Sequence, residues 1–143
     1  MVIIGADHAG FELKEKVKKF LQKEGEDIVD IGAFKVDNSD DFSYYVRLFA
    51  KTFCQGEDCK IISVCGSGVG MSVGLNKQKG IRSLVGHTVE EVVLAREHNN
   101  VNALALSGRT TSLILAKKMI KAFLETKNLK GKYERRMKEI EIE

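Results

Sequence analysis

The sequence predicts an α/β fold, a Rossmann-like three-layer αβα sandwich with a five-stranded parallel sheet. Three observations carry that expectation. Short apolar runs rich in β-branched residues alternate with longer segments of helical period, which is the pattern of successive βαβ units. At 143 residues with 43% apolar content, the chain has enough to build one hydrophobic core, so one domain over residues 1–143 is expected. No repeat, linker or low-complexity tract interrupts the alternation.

The elements follow in order. The first strand is expected at Val2 to Gly5, on the run Val2-Ile3-Ile4. Phe11, Leu13, Val17, Phe20 and Leu21 then form an apolar stripe with Lys and Glu opposite, and Gly25 stands where a helix C-cap belongs. Ile28 to Ile31 is the second strand, followed by a helix from about Tyr44 to Cys54. Ile61 to Val64 is the third, followed by a helix from Val69 to Lys77. The fourth strand, Ile81 to Val85, precedes a helix from Val89 to Glu97, and the fifth, Ala103 to Leu106, precedes one from Ser112 to Thr126. A last helix over Tyr133 to Ile140 lies in a basic C-terminal segment, residues 131–141.

No run of 18 apolar residues is present to span a bilayer, and Met1 leads into a short apolar stretch without a charged leader, so a cytoplasmic protein is expected. Three cysteines, Cys54, Cys59 and Cys65, are an odd set that argues against a disulfide framework and for a reducing compartment. Nothing around Cys54 and Cys59 resembles a zinc site. The net charge is only +3, but Lys130, Lys132, Arg135, Arg136 and Lys138 crowd one stretch against the single Glu134. That stretch reads either as an anion-binding face or as a solvated helix face balanced by Glu139, Glu141 and Glu143. Nucleic acid is disfavoured, because no aromatic platform or recognised motif accompanies the charge.

Parallel strands place ligands at their carboxyl ends, where loops lead into helices. Two such loops carry chemistry: Ala6-Asp7-His8-Ala9-Gly10 and Cys65-Gly66-Ser67-Gly68-Val69-Gly70. The glycines of the second let the backbone turn tightly and aim N–H groups, with the positive end of the following helix, at a negative oxygen. The spacing is neither a dinucleotide fingerprint nor a P-loop, and a plain strand-to-helix turn has the same glycine requirement. Cys65 immediately precedes these donors, where a thiolate is expected to be favoured; buried core cysteine is the competing reading. His98, in Glu97-His98-Asn99-Asn100, reads as a proton carrier or as a helix cap.

Taken together, Gly5-Ala6-Asp7-His8-Ala9-Gly10-Phe11, Cys65-Gly66-Ser67-Gly68-Val69-Gly70-Met71-Ser72, Asn76-Lys77, Gly80-Ile81-Arg82, Arg96-Glu97-His98-Asn99 and Gly108-Arg109 resemble the ribose-5-phosphate isomerase B family. The match runs along almost the whole chain, and the related galactose and allose 6-phosphate isomerases share much of it. The resemblance implies a Rossmann-like, dimeric or tetrameric aldose-ketose isomerase that needs no metal or other cofactor. It implies Cys65 as the base, with Ser67 and the N–H groups of Gly66, Gly68, Val69 and Gly70 holding the enediolate. His98 takes the place of the acid that opens the sugar ring. Asp7 and Asn99 take the places of ligands for sugar hydroxyls. His8, Arg109, Lys132 and Arg136 fall at ligand-binding positions, His8 and Arg136 nearest the phosphate.

The chain departs from the family at Lys132-Tyr133, where Arg-His is common, and at Asp41-Phe42-Ser43, where Asp-Tyr-Pro is common. Ser67 replaces a threonine, and Gly74-Leu75 an Ala-Ala pair. Lysine for arginine exchanges a planar fork for a point charge. Ribose 5-phosphate is the expected substrate, a six-carbon sugar phosphate the alternative, and a non-catalytic sugar-phosphate binder the third reading. Cys65 follows a strand and His98 follows a helix, so the expected topology sets them at opposite edges of the sheet, on the order of 15 to 20 Å apart. A homodimer with shared active sites, possibly within a tetramer, is the expected resolution. No nucleic-acid or membrane partner is expected.

Overall fold

In the computed structural model, which describes residues 1–143, five strands form one sheet. In chain order these are β1 (Val2–Ala6), α1 (Phe11–Lys23), β2 (Ile28–Asp30), α2 (Phe42–Thr52), β3 (Lys60–Cys65), α3 (Val69–Asn76), β4 (Ser83–Val85), α4 (Val89–Asn99), β5 (Ala103–Ser107), α5 (Leu113–Glu125) and α6 (Lys132–Glu139). The strand order is β2-β1-β3-β5-β4, and every pairing is parallel. The expected three-layer fold and its five strands are therefore present.

Side chains alternate along each strand, so the sheet has two buried faces. Val2, Ile4, Ala6, Ile62, Val64, Leu104 and Leu106 pack against α1, α4 and α5. Ile3, Ile61, Cys65, Ala103 and Ala105 face α2 and α3, where Phe49, Met71 and Leu75 cover them. Gly5 belongs to this second face, and a Cβ there would stand 2.9 Å from the ring of Phe49.

Four boundaries, in three elements, differ from the expectation for identifiable reasons. β4 begins at Ser83 rather than Ile81, because the N–H groups of Arg82 and Ser83 donate to the side chains of Asn102 and Asn76 instead of to a ladder. α2 starts at Phe42, two residues early, after Asp41 in extended backbone, and stops at Thr52 where Phe53 becomes extended again. α4 continues to Asn99 and ends on Asn100 in the left-handed region (φ 45°), which puts His98 and Asn99 on the helix rather than beyond it. Lys14 also departs from its expected place on the polar side of α1. It is fully buried, and its Nζ bonds both carboxylate oxygens of Asp30 (3.2 and 3.1 Å) and the carbonyl of Ala33 (2.6 Å). Burial alone would push the Asp30 carboxyl up, but hydrogen bonds from Lys18, the Gly32 N–H and Lys14 outweigh it and hold that carboxyl below its ordinary range.

The loops after β1 and β5 touch, although β3 lies between those strands. A Cβ on Gly108 would stand 2.2 Å from the carbonyl oxygen of Ala9, and one on Gly10 would stand 2.4 Å from that of Val64. Backbone is the obstacle in both cases, so no side chain can give way. Gly108→Ala is expected to destabilise the protein by about 1 to 3 kcal/mol, the usual range for overpacking. A lowered midpoint in thermal unfolding checks this; an unchanged midpoint would show that the loops are free to separate.

Candidate active site

The strand order reverses between β1 and β3, the place in an open parallel sheet where ligands bind outside the carboxyl ends. The loop after β3 is anchored by the loop after β5. Gly108 N–H donates to the Cys65 carbonyl (2.8 Å), and the Gly66 carbonyl accepts from Arg109 N–H (3.3 Å) and the Ser107 hydroxyl (2.7 Å). Gly68 then adopts φ +81°, a conformation that side chains other than glycine resist, and reverses the chain into α3. This turn brings the Gly68 N–H onto the Cys65 sulfur at 3.2 Å, and Val69 N–H onto the Ser67 hydroxyl at 3.2 Å. Those two donors are thereby committed within the chain. The N–H groups of Gly66, Ser67 and Gly70 make no bond inside the protein, and they cluster at the positive end of α3. A sulfur beside a row of free donors can remove a proton while the donors take up the charge that develops on oxygen.

Two larger groups frame this loop. The guanidinium of Arg109 passes over Gly66, where a Cβ would stand 2.9 Å from Cζ, and the ring of Phe42 lies on Gly70, where a Cβ would stand 3.1 Å from it. Opposite them stands the β1 loop. Asp7 is buried and its Oδ1 accepts from the N–H groups of Ala9 (3.0 Å) and Gly10 (3.1 Å), which fixes the loop. Burial pushes the Asp7 carboxyl up, against the lowering effect of the Gly10 bond and of His8.

His8 is fixed by a residue that motif reading passed over. Asp40 Oδ1 accepts from the His8 backbone N–H (3.0 Å) and pairs with Nδ1 (2.7 Å), while Asp40 Oδ2 accepts from the Tyr45 hydroxyl (3.0 Å). The hydrogen bond to Asp40 raises the His8 imidazole above its ordinary 6.5, so His8 carries charge more readily beside an anion. Burial first, then the bond to Asp40, pushes the Tyr45 phenol up to about 12, so it remains a donor. In the sequence, Asp40 sits in the polar stretch Asp37-Asn38-Ser39-Asp40-Asp41, where nothing marks one carboxylate over another. Ser107 gave no signal either, since its role exists only through the neighbouring strand.

The remaining predicted residues lie elsewhere. His98 and Asn99 occupy the last turn of α4, which ends at the amino edge of the sheet, where the Asn102 carbonyl accepts from Ile61 at the start of β3. α6 packs there. The Tyr133 ring is stacked on His98, with centroids 4.5 Å apart, and Asn99 Nδ2 contacts Met137 Sδ at 3.6 Å. Lys132 and Arg136 are exposed, with their cations 5.2 and 5.9 Å from the centroid of the same Tyr133 ring. Asp7, His8, Cys65, Ser67 and Arg109 thus form one group at the carboxyl edge, and His98, Asn99, Lys132 and Arg136 form another at the amino edge. A separate polar cavity of about 310 Å³ also opens at the amino edge, among Gln55, Lys60, Arg82, Asn102 and Glu141, and none of the predicted site residues lines it.

The sequence model of the ribose/galactose isomerase family matches residues 2–140. A ribose-5-phosphate isomerase B of Escherichia coli is 33% identical over 139 residues, covering 97% of this chain and 93% of that one. A solved ribose 5-phosphate isomerase from Thermotoga maritima superposes with a TM-score of 0.92 at 37% identity, over 98% of this chain and 96% of that one. A ribose-5-phosphate isomerase B from Mycoplasma genitalium, solved with bound ribulose-5-phosphate, gives a TM-score of 0.92 at 31% identity, over 97% and 92% of the two chains.

The Asp40 contact yields a pH test. Because His8 is raised above 6.5 in the folded protein, its bond stabilises the fold fully below that pH and the contribution is lost as pH rises through the raised value. Asp40→Asn is expected to move the His8 midpoint downward in a proton NMR titration of the imidazole. An unmoved midpoint would show that Asp40 does not set the His8 charge.

Proposed function

The chain belongs to the ribose/galactose isomerase family, and from that membership we propose that it interconverts ribose 5-phosphate and ribulose 5-phosphate through an enediolate, with Cys65 as base, in the cytoplasm. The observation that carries the reading is the Cys65 sulfur standing next to the unpaired N–H groups of Gly66, Ser67 and Gly70. No helix is long and apolar enough to cross a membrane.

In the open-chain aldose, the Cys65 thiolate takes the proton on C2. The C–H pair becomes the C1–C2 double bond and the carbonyl pair moves onto O1. The free donors of the loop, with the Ser67 hydroxyl, take up that charge as it develops. Proton transfer from O2 to O1 and return of the proton from sulfur to C1 give the ketose, so atoms and charge balance without a cofactor. Asp7 accepts from a sugar hydroxyl, Arg109 binds the ligand, and His8 supplies positive charge for the phosphate, joined there by Arg136 from the amino-edge set.

Opening the furanose falls to His98, with Asn99, Lys132 and Arg136 beside it. These four stand at the other edge of the sheet, a strand's length away, about 15 to 20 Å. A two-fold homodimer joins the groups: the amino-edge set of one chain completes the pocket built on Cys65 of the other, giving two equivalent sites. The surface beside the Cys65 loop suits such an arrangement, since Val69 and Val73, one turn apart on α3, are 52% and 54% exposed.

Cys65→Ala is expected to abolish exchange of the sugar C2 proton while sugar phosphate still binds, a loss of roughly 10²- to 10⁴-fold. Wild-type-like exchange in that variant would remove Cys65 from the base position. Ribose 5-phosphate, allose 6-phosphate and galactose 6-phosphate assayed side by side with the wild type identify the sugar, and no turnover of any would leave a binding protein. Mixing Cys65→Ala and His98→Ala proteins under subunit exchange should restore about one quarter of wild-type activity, because half the dimers carry one intact shared site out of two. No recovery despite proven exchange would place His98 outside the shared pocket.

A further inference from the structure

His98 lies on the last turn of α4, and the hydrogen bonds of that turn involve Asn99 and Asn100 rather than its imidazole. What holds the ring is one flat contact. The Tyr133 phenol, in the first turn of α6, is only 8° from parallel to it, with centroids 4.5 Å apart, the separation of an offset stack. The imidazole plane is otherwise soft, since histidine's second side-chain torsion is broad. A contact on the face sets the plane and leaves both ring nitrogens free for substrate. Lys132 and Arg136 place their cations over the same phenol. One ring therefore contacts both the His98 imidazole and these two cations.

We propose, on the basis of the isomerase reading above, that Tyr133 is a positioning residue for sugar ring opening: it fixes the His98 imidazole plane relative to the phosphate-binding cations Lys132 and Arg136. In the step concerned, the bond between C1 and the ring oxygen breaks and the ring oxygen takes the proton that His98 brings. The C1 hydroxyl loses its proton to water, and the carbonyl forms. The step has no redox change and requires the acid nitrogen to lie in line with the ring oxygen. Small errors of angle therefore lower the rate without abolishing binding.

The chemistry of the two sugars supplies a discriminating test. Ribose 5-phosphate must be opened before C2 can be deprotonated. Ribulose 5-phosphate is acyclic, because the only hydroxyl able to close a five-membered ring carries the phosphate. Its C1 proton therefore exchanges with deuterium from solvent through the Cys65 step alone. At saturating sugar phosphate, Tyr133→Ala is expected to lower turnover of ribose 5-phosphate about 10-fold or more, a part of what a positioned acid contributes, while C1 exchange of ribulose 5-phosphate stays within about 2-fold. Tyr133→Phe, which keeps the stacking face, should retain both rates. The chain has 3 histidines, so the His98 ring protons can be assigned by NMR. Their upfield ring-current displacement should persist in Tyr133→Phe and vanish in Tyr133→Ala. Equal loss of both reactions would show a merely structural ring, and unchanged turnover with the displacement gone would show that the stack positions nothing. A wild type that does not isomerise ribose 5-phosphate would overturn the isomerase reading and this inference with it, a result separated from the others because it precedes any variant.

Discussion

Every strand of the sheet points the same way, and this one directional constraint organises all that follows. In a parallel sheet, a residue that ends a strand and a residue that ends a crossover helix lie at opposite edges. Cys65 is the last residue of β3 and His98 lies in the last turn of α4, so a single chain separates these two side chains by the length of a strand. Function must come either from one edge alone or from two chains meeting edge to edge. The division of charge follows the same line, with His8 and Arg109 on one side and Lys132 and Arg136 on the other.

At the carboxyl edge the backbone itself is the main chemical instrument. The loop after β3 takes its shape from the loop after β5, through bonds from Gly108, Arg109 and Ser107 to the carbonyls of Cys65 and Gly66. Those bonds occupy acceptors and leave donors facing outward. The glycines serve two separate ends: Gly68 supplies the left-handed turn, while Gly66 and Gly70 make room for Arg109 and Phe42. A Cβ at either of the last two positions would crowd the group that lies over it. The phenylalanine at 42 presents a bare ring to this space, where the resembled family commonly has a tyrosine hydroxyl.

Electrostatic support comes from residues one layer behind the site. Asp40 holds His8 through two bonds and is itself held by Tyr45, a phenol kept protonated by burial and by that same bond. On the other side of β1, buried Lys14 links Asp30 to the Ala33 carbonyl and so ties α1 to the segment after β2. A buried cation of this kind is weak evidence for stability, since desolvation offsets much of the attraction. Its visible consequence is geometric, because it fixes the chain leaving β2 next to the β1 loop.

The sequence by itself determined the fold class, the five strands, the two chemical loops and the conflict between Cys65 and His98. These rest on local period and on the direction of parallel crossovers, which a linear string encodes. The tertiary structure alone decided that Lys14 is buried, that Asp40 rather than its neighbours Asp37 or Asp41 holds His8, and that Tyr133 lies on His98. Each of those pairings joins residues far apart in the chain, 16, 32 and 35 positions respectively. Their partners are chosen by the packing of whole elements, and no spacing along the chain records that choice. Even the two-residue extension of α4 depended on Asn100 entering the left-handed region, a conformation that asparagine permits but does not require.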